Sequence, residues 1–440
     1  MGQQRTRRMR QPLSGQVEDL ASDGRGVLHR DGKAVFVPDC LPGERILYRV
    51  RRRSRHVDEG ALEELVEPSP DRVGARCAHF GICGGCSLQH VGPPQLAFKQ
   101  KQVVDALERV GKVRPQAMAE PIQGAQWGYR RRARLGVKYV PKKGGTLVGF
   151  RERGSPFIAD IERCHVLAPA VGERILALRG LIDGLSIRTR LPQIEVAEGD
   201  NACALVLRVL DEPSADDVAR LLAFSAEYGV WFYLQRGGPE TMEPLSPDTP
   251  TLYYRLQAFD LTLRSQPGDF VQVNAAANEA MIGQALDWLA PGPQSSTLEL
   301  FSGLGNFTLP LARRSGRVIS VEGEPGLVAR ARANAAHNGL NNVQAYVDDL
   351  FAPDPAAAWL QRPVDAVLLD PPRSGAQAVL APVAARNPPR ILYVSCHPAT
   401  LARDAGELVH ERGYRLARLG VVDMFPQTAH VESMALFERG

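Results

Sequence analysis

The 440 residues are too many for one ordinary core, so two to four domains are expected. With 44% hydrophobic and 23% charged residues the composition is that of a folded, water-facing protein, and no apolar run reaches membrane-spanning length. The net charge of +4 conceals an asymmetry: residues 1–170 hold 30 Lys/Arg against 18 Asp/Glu, and the remainder holds 23 against 31.

The chain opens on Arg5-Thr6-Arg7-Arg8-Met9-Arg10 without the apolar core of a signal peptide, so the cytoplasm is the expected compartment. Short runs bounded by Gly, Asp and Pro follow, among them Gly15–Leu20, Lys33–Pro38 and Glu44–Val50. They predict a compact β-barrel of the OB type, which with the basic arm spans 1–68. Two further arginine clusters, Arg49–Arg55 and Tyr129–Arg134, lie in this basic half. Arg suits bidentate phosphate contacts, so the half is expected to hold a polyanion, and nucleic acid is the natural one. The alternative is a solvated basic surface.

Cys77, Cys83 and Cys86 come next, at C-x5-C-x2-C spacing, with Cys164 far downstream. Cysteines in a cytoplasmic chain argue against a disulfide framework. Three clustered thiols and a remote one suit a [4Fe-4S] cubane better than zinc, whose structural sites come as two close pairs; zinc stays as the alternative. Cys40 and Cys203 stand alone and read as packing residues. Residues 69–268 mix helices and strands without a linker, as one central α/β domain. Leu96, Val103, Val104 and Leu107 predict a helix over Gln95–Val110. Gly149–Gly154 reads as a strand entering a turn, and Val206–Leu210 and Trp231–Leu234 as strands.

Over 269–440 strands and helices alternate: Leu298–Phe301, Phe307–Arg314, Val318–Val321, Pro325–Asn338, Val343–Val347, Ala366–Leu369 and Ile391–Val394. This predicts a doubly wound, mainly parallel, Rossmann-like sheet, which takes ligands at the carboxyl ends of its strands. A Gly303-Leu304-Gly305 turn follows the first strand. Glu322 follows the second, where a carboxylate can accept both hydroxyls of a ribose. Asp349 and Asp370 follow the third and fourth. Acids at successive strand ends, without a polyphosphate cradle, fit S-adenosylmethionine better than a dinucleotide. Each acid alone would serve equally as a helix cap or a surface carboxylate. Cys396 ends the Ile391–Val394 run as a candidate nucleophile, the ordinary alternative being a buried core cysteine.

Asp370–Gly375, Ile391–Thr400 and Asp423–Glu432 together resemble the signatures of the RNA uracil-C5-methyltransferases, and the likeness extends over nearly the whole chain. The front β unit resembles a TRAM domain. The four cysteines resemble the iron–sulfur ligands of that family's ribosomal branch, and Phe270–Asn274 resembles the segment opening its methyltransferase domain. The resemblance implies S-adenosylmethionine-dependent methylation of a uridine at C5 in 23S ribosomal RNA. It implies Cys396 as the nucleophile adding to C6, Glu432 as the base removing the C5 proton, and Gln272, Phe301, Asn306, Glu322, Asp349 and Asp370 as cofactor contacts. Cys77, Cys83, Cys86 and Cys164 would ligate the cluster. A monomer is expected, with neither membrane nor protein partner. A transfer-RNA enzyme of the same chemistry and a non-catalytic RNA-binding assembly factor are the alternatives. The chain departs from the family at His397, where Asn is usual, and at Glu299 and Ser302, where Asp and Cys are usual.

Overall fold

Residues 12–440 are described in a computed structural model of the chain; the arginine cluster at positions 5–10 lies outside them. The chain divides into two compact units. One comprises the chain up to Gln102 with Arg151–Ala159 and Gln427–His430, and the other Val103–Phe150, Asp160–Pro426 and Val431–Gly440. Among the described residues no helix is long and apolar enough to cross a membrane.

The first unit is built on six strands: β1 (Leu13–Gln16), β2 (Asp19–Leu20), β3 (Gly26–Arg30), β4 (Lys33–Val37), β5 (Arg45–Arg53) and β6 (Val57–Glu67). They pair in the order β1-β5-β6-β4-β3-β2. Alternation along the strands turns Leu28, Val35, Val37, Ile46, Tyr48 and Val50 inward to one core. Glu44 is wholly buried beside it. Its carboxylate accepts from Arg72 at 2.5 and 2.8 Å and from the Leu41 and Ser69 amides, so every lone pair direction has a donor.

The second unit contains two sheets and a hairpin. Strands β9 (Arg132–Val140), β10 (Gly145–Gly149), β11 (Gln193–Glu198), β12 (Cys203–Arg208), β13 (Val230–Gln235) and β14 (Met242–Pro244) form a sheet in the order β10-β9-β11-β12-β13-β14, and β15 (Leu252–Leu256) pairs with β16 (Leu261–Ser265). The larger sheet comprises β7 (Ala117–Met118), β8 (Ile122–Gln123), β17 (Ser296–Leu300), β18 (Arg317–Glu322), β19 (Val343–Val347), β20 (Ala366–Leu369), β21 (Arg390–Ser395), β22 (Tyr414–Asp423) and β23 (Glu432–Arg439). Its order is β19-β18-β17-β20-β21-β23-β22-β7, with β8 also on β22. β17 to β21 are mutually parallel and β23 is antiparallel to both neighbours. This is the expected Rossmann-like arrangement. β17 and β20 are buried along their whole length and β21 from Ile391 to Ser395; β20 and Ile391–Val394 of β21 accordingly read as apolar runs rather than alternating ones, whereas β17 carries Ser296, Thr297 and Glu299 inside.

Two elements differ from the periodicity. The helix starting at Gln95 is α-helical only to Ala106 and continues as a π turn over Leu107–Gly111. There Gly111 lies against the helix Pro398–His410, so closely that a Cβ would stand 2.3 Å from the Ala402 carbonyl. The strand expected at Gly149–Gly154 lies earlier, at Gly145–Gly149, because the hairpin register pairs Gly149 with Gly136 and Gly145 with Val140.

Candidate active site

Each parallel strand of the larger sheet ends at or near one of the anticipated residues. Phe301 follows β17, Glu322 closes β18, Asp349 lies two residues beyond β19, Asp370 follows β20 and Cys396 follows β21. Strand register brings Glu432 to the same end. Ser395 faces Ser433 across the antiparallel β21–β23 pair, so the next position outward sets Cys396 against Glu432. Ser433 Oγ donates to the Ser395 carbonyl at 3.1 Å, which pins that register.

The electrostatics of this corner favour neutral acids. Glu432 is 4% exposed, and burial lifts its carboxyl well above the usual range; the charge of Asp370 adds to the effect and Arg373 opposes it. Burial pushes Asp370 up to about 7. Burial, and then the charge of Glu432, push the half-buried Cys396 thiol up to about 11, against a hydrogen bond with Arg373. The resting site therefore keeps its thiol protonated, and in Asp370 it holds an acid able to exchange a proton near neutrality.

His397 caps the helix Pro398–His410. Its Nδ1 accepts from the Thr400 amide at 3.4 Å, and its own amide donates to Ser395 Oγ at 3.1 Å. An acceptor nitrogen here does the work of an Asn oxygen, so the departure from the family pattern leaves the backbone beside Cys396 fixed.

Around the β17 and β18 ends, Glu322 Oε2 accepts from the Gly303 amide at 3.0 Å and Oε1 from the Glu324 amide at 3.1 Å. Only part of the carboxylate's accepting capacity is used, which leaves room for two hydroxyls. Asn306 exchanges two amide hydrogen bonds with Asn278, both 2.9 Å, and its Oδ1 also accepts from Tyr254 Oη at 3.2 Å. Phe301 has a left-handed backbone, φ 63°, rare for a bulky side chain, and its ring lies 5.9 Å from that of Phe351. Asp349 is exposed and accepts from the Phe351 amide at 2.9 Å. Gln272 is buried just ahead of the helix Ala275–Leu289. Glu299, 1% exposed, accepts from Thr308 Oγ1 at 2.5 Å, and burial pushes its carboxyl up to about 8.

Sequence reasoning missed Tyr254, Asn278 and the charge role of Arg373. Asn278 carried a signal, as a polar residue one turn after Asn274 in an apolar helix. Tyr254 carried none, since its hydroxyl meets Asn306 only through the tertiary fold.

The cysteines and the basic clusters turn out differently from their spacing. Among the described residues no three His, Cys, Asp or Glu side chains are arranged to hold a metal ion. Cys77, Cys83 and Cys86 belong to the first unit and Cys164 to the second. The Cys77 amide donates to Gln89 Oε1 at 3.0 Å, the Cys83 amide to the His79 carbonyl at 2.9 Å, and the Gly85 amide to Cys83 Sγ at 3.4 Å. Cys40 and Cys203 are core residues, their thiols pushed up by burial. Within Tyr129–Arg134, Arg131 pairs with Asp200 at 2.7 Å, Arg134 with Glu195 at 2.8 Å, and Arg132 donates to the Asp269 carbonyl. Two of that cluster's four arginines are thus paired with carboxylates. Arg51, Arg52, Arg53 and Arg55 are exposed, and no carboxylate among the described residues pairs with them.

Residues 251–347 and 360–440 match the sequence model of the tRNA (Uracil-5-)-methyltransferase family. The chain is 52% identical to the 23S rRNA (uracil(1939)-C(5))-methyltransferase RlmD of Alkalilimnicola ehrlichii, across 100% of this chain and 99% of that one. It is 52% identical to the protein of the same name from Methylococcus capsulatus (98% and 97% covered) and 48% identical to that of Xanthomonas oryzae (100% and 100%). In fold it is similar to the Pyrococcus abyssi tRNA (uracil-54, C5)-methyltransferase solved with S-adenosyl-L-homocysteine, with TM-score 0.73, 24% identity, and 97% of this chain and 100% of that one covered.

Proposed function

The chain belongs to the RNA uracil-C5-methyltransferase family, and from that premise we propose that it methylates C5 of a uridine in 23S ribosomal RNA with S-adenosylmethionine as donor. The observation that supports the mechanism is the β21–β23 register, whose last pair is Ser395–Ser433, so that Cys396 and Glu432 follow at the same end of the sheet.

Uracil C5 is a weak nucleophile. In this reading the Cys396 thiolate adds to C6, and the electron pair of the C5–C6 bond moves to C5 and the O4 enolate. S-adenosylmethionine, when bound, supplies a methyl sulfonium as the electrophile for that carbon. Glu432, in its ionised form, then takes the C5 proton, the C6–S bond breaks and the thiolate leaves; burial reduces the ionised share of this carboxyl and raises the basicity of what remains. Arg373 offsets negative charge as the thiol ionises, because it acts on both Cys396 and Glu432. Glu322 would hold the ribose hydroxyls through its remaining lone pairs. Asn306, Asp349, Asp370, Gln272 and Phe301 would form the rest of the cofactor pocket. The target base must leave its stack to reach a thiol at a strand end.

The first unit serves in this reading as a TRAM-like, OB-type RNA holder, supported by the exposed arginines at the end of β5 and in the turn after it. Cys77, Cys83, Cys86 and Cys164 would ligate a [4Fe-4S] cluster. Four half-buried thiols are the right donor set, and the Gly85 amide aimed at Cys83 Sγ is the kind of contact that stabilises a thiolate. Iron and sulfide analysis of anaerobically purified protein tests this directly; zinc in their place would overturn it.

Tritiated methyl transfer to purified 23S and transfer RNA, with wild type and Cys396→Ala, tests the activity. Incorporation into 23S alone, abolished in the variant, is expected. Incorporation into transfer RNA keeps the chemistry and overturns the substrate. Incorporation by Cys396→Ala overturns the covalent route, and none by wild type overturns the enzymatic reading.

A further inference from the structure

The first unit contains a cavity of about 530 Å³ that takes no part in the site above. One side is the sheet. Phe36 on β4 lies beside Glu59 on β6 by parallel register, and the Arg25 guanidinium lies over the Phe36 ring at 4.8 Å. Gly84, Cys86, Ser87 and Arg153 also line the cavity. Arg153 donates to the Cys86 carbonyl at 2.8 Å and pairs with Asp39, which holds that wall in place.

The charges inside are mostly matched. Arg25 pairs with Asp23 at 2.7 Å, and Arg153 with Asp39. The lining therefore offers both donors and acceptors beside the Phe36–Arg25 contact, which suits the mixed edge of a nucleobase better than a simple anion. Arg51 differs. The β5–β6 register slips between Val50 and Arg52, so Arg51 is an extra residue with no cross-strand partner. A bulge re-aims its side chain, and here it lines the cavity as a cation that no described carboxylate neutralises. The volume suits a single nucleotide and is far too small for a duplex.

We propose that this cavity receives one unstacked nucleotide of the RNA, its base extending the Phe36–Arg25 stack and its phosphate on Arg51. Stacking on an aromatic–guanidinium pair together with one phosphate contact is how single strands are held without a groove. The inference rests on the reading of the chain as an RNA methyltransferase only for the identity of the polymer.

The test is the salt dependence of binding of a 23S ribosomal RNA transcript to the full-length protein. Loss of one phosphate contact in Arg51→Ala should flatten the slope of log K against log salt by about 0.7, the single-strand value. Phe36→Leu should weaken binding with the slope unchanged, because only stacking is lost. Ultraviolet crosslinking should attach RNA to the peptide carrying Phe36. An Arg51→Ala slope equal to wild type overturns the proposal, as does binding of free nucleoside monophosphates as tight as that of the transcript. Methyl transfer measured in parallel separates the two readings. A wild type that methylates while the slope ignores Arg51 sinks the nucleotide site alone. An Arg51-dependent slope without methyl transfer sinks the enzymatic reading alone.

Discussion

A cysteine held as a thiol should resist alkylation, and the expected resistance of Cys396 follows from its surroundings. Burial and the Glu432 charge push Cys396 from an ordinary value near 9 to about 11. At pH 8 the thiolate fraction falls from about a tenth to about a thousandth, a hundredfold loss. Higher basicity returns part of this, since intrinsic nucleophilicity rises by a Brønsted factor of about 0.4–0.5 per unit, or roughly sixfold to tenfold over two units. The net expectation is alkylation about tenfold slower than that of a free cysteine peptide. Iodoacetamide labelling followed by peptide mass spectrometry of Cys396 in the full chain reads the rate. Glu432→Gln should speed labelling at the alkaline end, where the carboxylate is ionised, and Arg373→Ala should slow it. Labelling of wild-type Cys396 at pH 8 as fast as the peptide would refute the argument, because the thiol would then be activated before substrate arrives.

Other perturbations test the surroundings. Glu299 titrates near 8 when folded and near 4.5 when not, so the folded state binds the extra proton between those values. Stability should therefore be highest below about 4.5 and should fall as pH rises through 8, by on the order of a few kcal/mol. Urea unfolding of wild type against Glu299→Gln at pH 5 and 8.5 isolates the effect, and a constant difference between the two would contradict it. Arg72→Met strands the buried Glu44 carboxylate and should cost about 3–5 kcal/mol in thermal melts, with Glu44→Gln in the same chain recovering part of the loss. His397→Ala should cost about 1 kcal/mol through the lost cap and His397→Asn should restore it; equal melting of the two would remove the capping role. Asn278→Ala or Tyr254→Phe should raise KM for S-adenosylmethionine about fivefold, the worth of one hydrogen bond of about 1 kcal/mol, with little change in kcat.

Much of the larger sheet could be read in advance, because strands buried on both faces are mostly apolar, and Ala366–Leu369 and Ile391–Val394 carry that property locally; Glu299 and Ser320 are buried polar exceptions within their strands. The acids and the thiol stood at strand ends for the same local reason: a chain leaving a parallel sheet needs polar residues as soon as it meets water. The helix after Gln95 was legible to Ala106 but not its π turn, which exists because Gly111 fits under the Ala402 carbonyl of a distant helix.

Charge was misread wherever it depended on partners. Tyr129–Arg134 looks as basic as Arg49–Arg55, yet Asp200 and Glu195 pair with two of its arginines, and both acids come from far along the chain. Sequence alone determined which residue types could serve as nucleophile, base and ribose acceptor, since side-chain chemistry is intrinsic to each residue. Only the tertiary structure decided that Cys396 meets Glu432, that Arg373 acts on both, and that Asn278 and Tyr254 orient Asn306. Those relations depend on strand register and burial, and no stretch of chain carries either by itself.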